Sequence, residues 1–177
     1  MCESLKNIFR RQALKRHSCQ EDTQLIPLDK INTATVIIDA TDSLYSECHE
    51  NISSFMKAHN IKCNIYYIDL RKMGKDEVLT TSIEKTILLD DFNWYDKLIS
   101  DKIYKLTDSI NRTDLLICLI PDDSFKLEYL VKISTARFKI GVKALPGNPY
   151  DISFSFDENT NCLKMFKAIS EYLCKIN

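Results

Sequence analysis

Four apolar, β-branched runs in this chain each stop at aspartate: Thr35–Ile38 at Asp39, Ile65–Ile68 at Asp69, Thr86–Leu89 at Asp90 and Asp91, and Leu115–Ile120 just before Asp122 and Asp123. Runs that are apolar throughout, rather than alternating, are strands buried on both faces. A sheet buried on both faces is a parallel sheet covered by helical crossovers. Ligands bind such sheets outside the carboxyl ends of the strands, so the aspartates mark the edge where a site would lie. Asp is also the ordinary cap of a helix that follows a strand, so an acidic rim and a set of caps are both open readings.

The stretches between the runs carry helical periodicity. Residues 43–59 place Leu44, Cys48, Ile52, Phe55, Met56 and His59 at three- and four-residue steps, and residues 160–175 do the same with Leu163, Phe166, Ile169 and Leu173. The spacing predicts strands at 34–40, 62–70, 85–90, 114–120, 138–142 and 151–156, and helices at 43–59, 94–109, 124–136 and 160–175. This alternation predicts an α/β protein, a Rossmann-like or flavodoxin-like three-layer sandwich with a mostly parallel sheet of five to six strands. Residues 1–31 read as an N-terminal basic helix and linker arm, and 32–177 as a single α/β domain.

With only three glycines in 177 residues, phosphate-cradling devices are scarce. Dinucleotide and phosphate loops need glycine so that backbone N–H groups approach the phosphates, yet the first turn, Asp39-Ala40-Thr41-Asp42-Ser43, has none. NAD and ATP binding through glycine-rich loops is therefore not expected. Gly141, inside the last core strand, suggests close approach of another backbone or a ligand. The net charge of -1 gives no global attraction to nucleic acid, and no specific nucleic-acid binding is expected. Seven dispersed cysteines, an odd number with no C-x-x-C pair, together with the lack of a signal peptide, suggest a reducing cytoplasm. The three histidines are too widely spaced for a helical metal pair.

The candidate ligand or partner surface is Asp39, Asp42, Asp69, Asp91, Trp94, Asp122, Asp123 and Gly141. Within it, Asp39, Asp42 and Asp123 are the residues a Mg²⁺ ion would need, since strand-tip carboxylates can hold that ion against a phosphate. The spacing of three between Asp39 and Asp42 departs from the spacing of two in haloacid-dehalogenase-like phosphatases, and capping of helix 43–59 by Asp42 or Ser43 is the commoner outcome. One of Asp122, Asp123 and Ser124 is expected to cap the next helix. Trp94, in Phe92-Asn93-Trp94-Tyr95, reads first as a residue covering the sheet edge and second as an anchor for a partner.

Residues 3–17 set Lys6, Arg10, Arg11, Lys15 and Arg16 against Glu3 alone, beside Leu5, Ile8 and Phe9. Such a helix packs back on the domain, stays a solvated arm, binds an acidic partner or makes weak, salt-sensitive contact with an anionic membrane surface.

The segments Asp90–Lys97, Asp114–Leu119, Asp123–Leu130 and Ala136–Gly141 resemble an uncharacterised bacterial family of single-domain α/β proteins, a domain of unknown function. The likeness runs from about residue 34 to the C-terminus and implies a fold without assigned catalytic residues. Where members of that family tend to carry glycine after the aromatic pair, this chain has Asp96. A weaker, local similarity joins Asp114–Gly141 to the N-terminal half of heptosyltransferase-like glycosyltransferases; it would make this chain a lone acceptor-side half. The expectation is a cytoplasmic binding or interaction module acting at the carboxyl edge of the sheet, the alternative a Mg²⁺-dependent hydrolase or transferase at that edge.

Overall fold

The apolar runs become β1 (Thr33–Asp39), β2 (Lys62–Asp69), β3 (Thr86–Leu88), β4 (Leu115–Leu119) and β5 (Phe138–Gly141), followed by a two-residue β6 (Ile152–Ser153). The helices are α1 (Cys2–His17), α2 (Tyr45–Ala58), α3 (Phe125–Ile133) and α4 (Cys162–Leu173). The structure is a computed structural model and describes residues 2–17, 25–72, 81, 85–99 and 113–176.

All six strands are parallel and form one sheet in the order β3-β2-β1-β4-β5-β6. β1 lies at the centre, with Val36 opposite Ile65 of β2 and Ile117 of β4. Successive side chains point to opposite faces of a strand, which is why an unbroken apolar run supplies two cores at once. Val36 and Ile38 pack with Leu115, Ile117 and Leu119 under α2 (Cys48, Ile52, Met56) and α4 (Met165, Phe166, Ile169). Ile37, Ile68, Leu116 and Cys118 face the other way, under Leu127, Leu130 and Val131 of α3 and Ala13 of α1. Burying each large apolar side chain stabilises by roughly 1.5–3 kcal/mol, so these two layers hold the sandwich together. The three-layer α/β architecture read from the sequence is the one observed.

Three local features depart from the sequence reading. Ile26, Leu28 and Ile31, within the segment read as a linker arm, are buried in the first core, so the packed body begins before residue 32. The helix expected from residue 94 does not start there. Asn93 N donates to Lys97 O and Asn93 Oδ1 accepts from Tyr95 N and Lys97 N, which closes a turn below an antiparallel bridge between Phe92 and Leu98. The rest of that expected helix, residues 100–109, and Gly74 with most of its polar excursion lie outside the described residues. Gly141 is approached by a side chain of the chain itself: a Cβ there would sit 2.4 Å from the Tyr150 ring. Lys139, a buried charge in β5, donates from Nζ to Ser134 O at 2.6 Å and so satisfies a carbonyl beyond the end of α3.

Candidate functional site

Moving outward from β1, the chain turns one way through α2 to β2, and from β4 the other way through α3 to β5, with the two helices on opposite faces. The helices cannot close over the gap between the carboxyl ends of β1 and β4, and in sheets of this order ligands bind there. A crevice of about 230 Å³ opens at that point. Asp39 and Thr41 enter it from β1, Ile68, Leu70 and Arg71 from β2, and Ile120 and Asp122 from β4.

Each carboxylate here is held by the turn that follows its own strand. Asp39 Oδ1 accepts from Thr41 N at 2.8 Å and Thr41 Oγ1 at 2.7 Å, and Asp122 Oδ1 accepts from Ser124 N at 3.2 Å. Such bonds to the backbone two residues ahead are what short acidic side chains make at turns. Asp69, buried at the tip of β2, accepts from Arg71 Nε at 3.0 Å and from an Arg71 terminal nitrogen at 2.7 Å. The Arg71 hydrogen bonds hold the Asp69 carboxyl below the usual carboxylate range against the opposing effect of burial. The crevice is therefore lined by two carboxylates, a hydroxyl bound to Asp39 and a guanidinium bound to Asp69, over an apolar floor of Ile68, Leu70 and Ile120.

The remaining sequence candidates lie elsewhere. Asp42 accepts from Leu44 N at 2.8 Å and, across the fold, from Cys162 N at 2.7 Å, so it joins the start of α2 to the first turn of α4. It is not the N-cap of α2; that position is Leu44, without a side-chain cap. At α3 the N-cap position is Ser124, whose side chain makes no capping bond; Asp122 instead braces the Ser124 backbone. Asp123 is exposed and pairs with Lys143 at 3.3 Å. Asp91 Oδ2 accepts from Leu88 N at 2.8 Å. Asp39, Asp42 and Asp123 are thus engaged separately, and among the described residues no three His, Cys, Asp or Glu side chains are grouped so as to hold a metal ion.

His59 and Cys174 both line a broad cavity of about 700 Å³ at the opposite end of the sheet, with no hydrogen bond between them. Burial pushes the Cys118 thiol up to about 11 and the Cys63 thiol up to about 12, which keeps both protonated and unreactive at neutral pH.

Trp94 is exposed rather than packed over the sheet edge, and its ring meets Phe9 of α1 with centroids 5.4 Å apart. Beside it is a constellation the sequence reading did not anticipate. Asp96 is buried and takes Arg10 and Lys6 from α1 and Lys126 from α3, the two lysines at 3.0 and 2.8 Å. Burial would raise the Asp96 carboxyl, but hydrogen bonds from Arg10, Lys126 and Lys6 outweigh it and hold the group at about 2. Its backbone has φ +65, the left-handed region that favours glycine. Aspartate is one of the few side-chain-bearing residues that adopt this conformation, and here it aims the carboxylate at α1. The one signal was the family resemblance, which sets a glycine where this chain has Asp96. Lys6 and Arg10 are accordingly committed to the body and do not belong to a free basic surface.

With this geometry in view, comparison with known proteins gives one match. Residues 3–176 match Family of unknown function (DUF6913), and the chain belongs to that family. No curated protein and no solved structure is matched. The family assignment agrees with the uncharacterised single-domain family indicated by the sequence and adds nothing for the glycosyltransferase likeness.

Proposed function

We propose that this protein is a cytoplasmic binding module without catalytic activity of its own, which takes a small hydroxyl- or ammonium-bearing ligand in the crevice between β1 and β4. The observation that supports the reading is the convergence of Asp39, Asp122, Thr41 and Arg71 on one 230 Å³ crevice at the switch point of the sheet. Ligand hydroxyl or ammonium donors suit the two carboxylates, and the apolar floor accepts a carbon skeleton. Catalysis is a poorer fit: the carboxylates are braced by backbone N–H groups, and the Thr41 hydroxyl that meets Asp39 belongs to the same turn closure. No described helix is long and apolar enough to cross a membrane.

The test is calorimetric titration with pentoses, hexoses, nucleosides and short diamines, run in parallel on the wild type, Asp39→Asn and Asp122→Asn. Binding by one of these classes that weakens tenfold or more in both variants is the expected result. Turnover of phosphate esters, nucleotide sugars or nucleosides that disappears in Asp39→Asn would replace the binding reading with an enzymatic one.

A further inference from the structure

α1 sits on the body with its polar and apolar sides exchanged. In a helix that covers a core, the apolar stripe turns inward and the charges turn out. Here Lys6, Arg10, Ala13 and Leu14 face the body, the two cations reaching Asp96 and the two apolar residues packing on the second core. Arg10 also lies over the Phe125 ring, 5.0 Å from its centroid. The large apolar residues are left outside: Leu5 is 50% exposed, Ile8 57% and Phe9 40%, and Trp94 beside them is 56% exposed. Phe9 touches Trp94 and Tyr95 at 5.4 and 5.5 Å between centroids, so helix and turn form one continuous surface.

The rim of that surface is cationic. At about 100° per residue, Arg11 and Lys15 border Ile8 along the stripe, and both are exposed. Of the acids at this helix, Glu3 is exposed in its first turn, and Asp96 is buried beneath it and already holds three cations.

We propose that this face docks on an anionic lipid surface, with α1 in the headgroup plane, Leu5, Ile8, Phe9 and Trp94 at the acyl boundary, and Arg11 and Lys15 among the lipid phosphates. Charge selects this occupant. A second copy of the chain would bring two cationic helices together, and a single convex helix offers no groove for a folded partner. An aromatic pair at the edge of an apolar stripe is suited to the layer where hydrocarbon meets headgroup. Cationic side chains flanking the stripe add attraction to anionic lipid. This docking is independent of the crevice between β1 and β4.

Trp94 is the only tryptophan in the chain, so its fluorescence reports on this surface alone. The full-length protein is mixed with phosphatidylcholine vesicles, with and without phosphatidylglycerol, and the emission maximum and vesicle co-sedimentation are followed. The expected result is a blue shift and co-sedimentation only with the anionic vesicles, reversed by added salt. Ile8→Glu should abolish both, and Arg11→Glu combined with Lys15→Glu should weaken binding at least tenfold. Both variants should keep the wild-type unfolding midpoint, since these side chains are exposed. No shift with anionic vesicles, or a shift that survives Ile8→Glu, would overturn the proposal. A shift that grows with protein concentration without vesicles would assign the face to a second copy, and an equal shift with polyglutamate would assign it to an acidic polypeptide; either overturns it.

Discussion

At the strand tips Asp39, Asp69 and Asp122 each accept from a backbone N–H two residues further along, whereas Asp96 takes Lys6 and Arg10 from α1 and Lys126 from α3. The two acidic regions look alike in sequence and differ in what they ask of the fold. A bond to a neighbour two residues away closes within a turn and can form whenever that turn forms. The Asp96 cluster exists only when segments 86 residues apart have been brought together and water has been excluded. The first kind of carboxylate shapes a loop and, in Asp39 and Asp122, leaves an oxygen for other uses, and the second kind joins two layers of the molecule.

The largest test of this contrast is Asp96→Asn, which leaves three cations around a neutral buried group. It should lower the free energy of unfolding by about 3 kcal/mol in urea titration, as removal of one partner from a buried ion cluster does. Asp96→Gly loses the same charge but relaxes the left-handed backbone, so it should be milder than the asparagine variant by about 1 kcal/mol. If asparagine equals wild type, Asp96 is no more structural than the rim acids.

Acid should produce the next largest effect. The folded carboxyl of Asp96 titrates at about 2, below its ordinary 3.8, so its contribution is fully present above 3.8 and is lost as pH falls from 3.8 towards 2. The loss should be on the order of 2 kcal/mol, visible as a falling unfolding midpoint across that window, and should be absent in Asp96→Asn.

Asp42 is intermediate, because it serves a local N–H and one from α4. Asp42→Ala should cost about 1 kcal/mol, typical of a lost helix-terminal acceptor, and hydrogen exchange should quicken at Leu44 and Cys162 together. The smallest effect belongs to Asp123→Ala, which removes an exposed pair with Lys143 and should change stability by less than about 0.5 kcal/mol. A loss there as large as that at Asp42 would erase the distinction between surface and joining carboxylates.

The same contrast explains what the sequence disclosed. The strands, their parallel direction and the two cores were legible because β1, β2 and β4 carry apolar runs that reach both faces, a property carried by each segment alone. The rim acids were legible as turn and end residues for the same reason. Asp96 was visible only as an unusual residue at a glycine position, since nothing near it in the chain names Lys6, Arg10 or Lys126 as partners. The amphipathic pattern of α1 was read correctly, but its orientation was not available from periodicity: one buried acid outbid three apolar side chains for the inward face. The expected start of a helix at Trp94 failed because Asn93 captures the N–H groups of Tyr95 and Lys97 and closes a turn instead.

The distance along the chain between Arg10 and Asp96 also sets an order of events during synthesis. The two are 86 residues apart, so at about 5–20 residues per second the ribosome delivers the acid roughly 4–17 s after the base. Through that interval Lys6 and Arg10 lack the carboxylate that pairs them in the finished protein, so the segment carries its full positive charge uncompensated by Asp96.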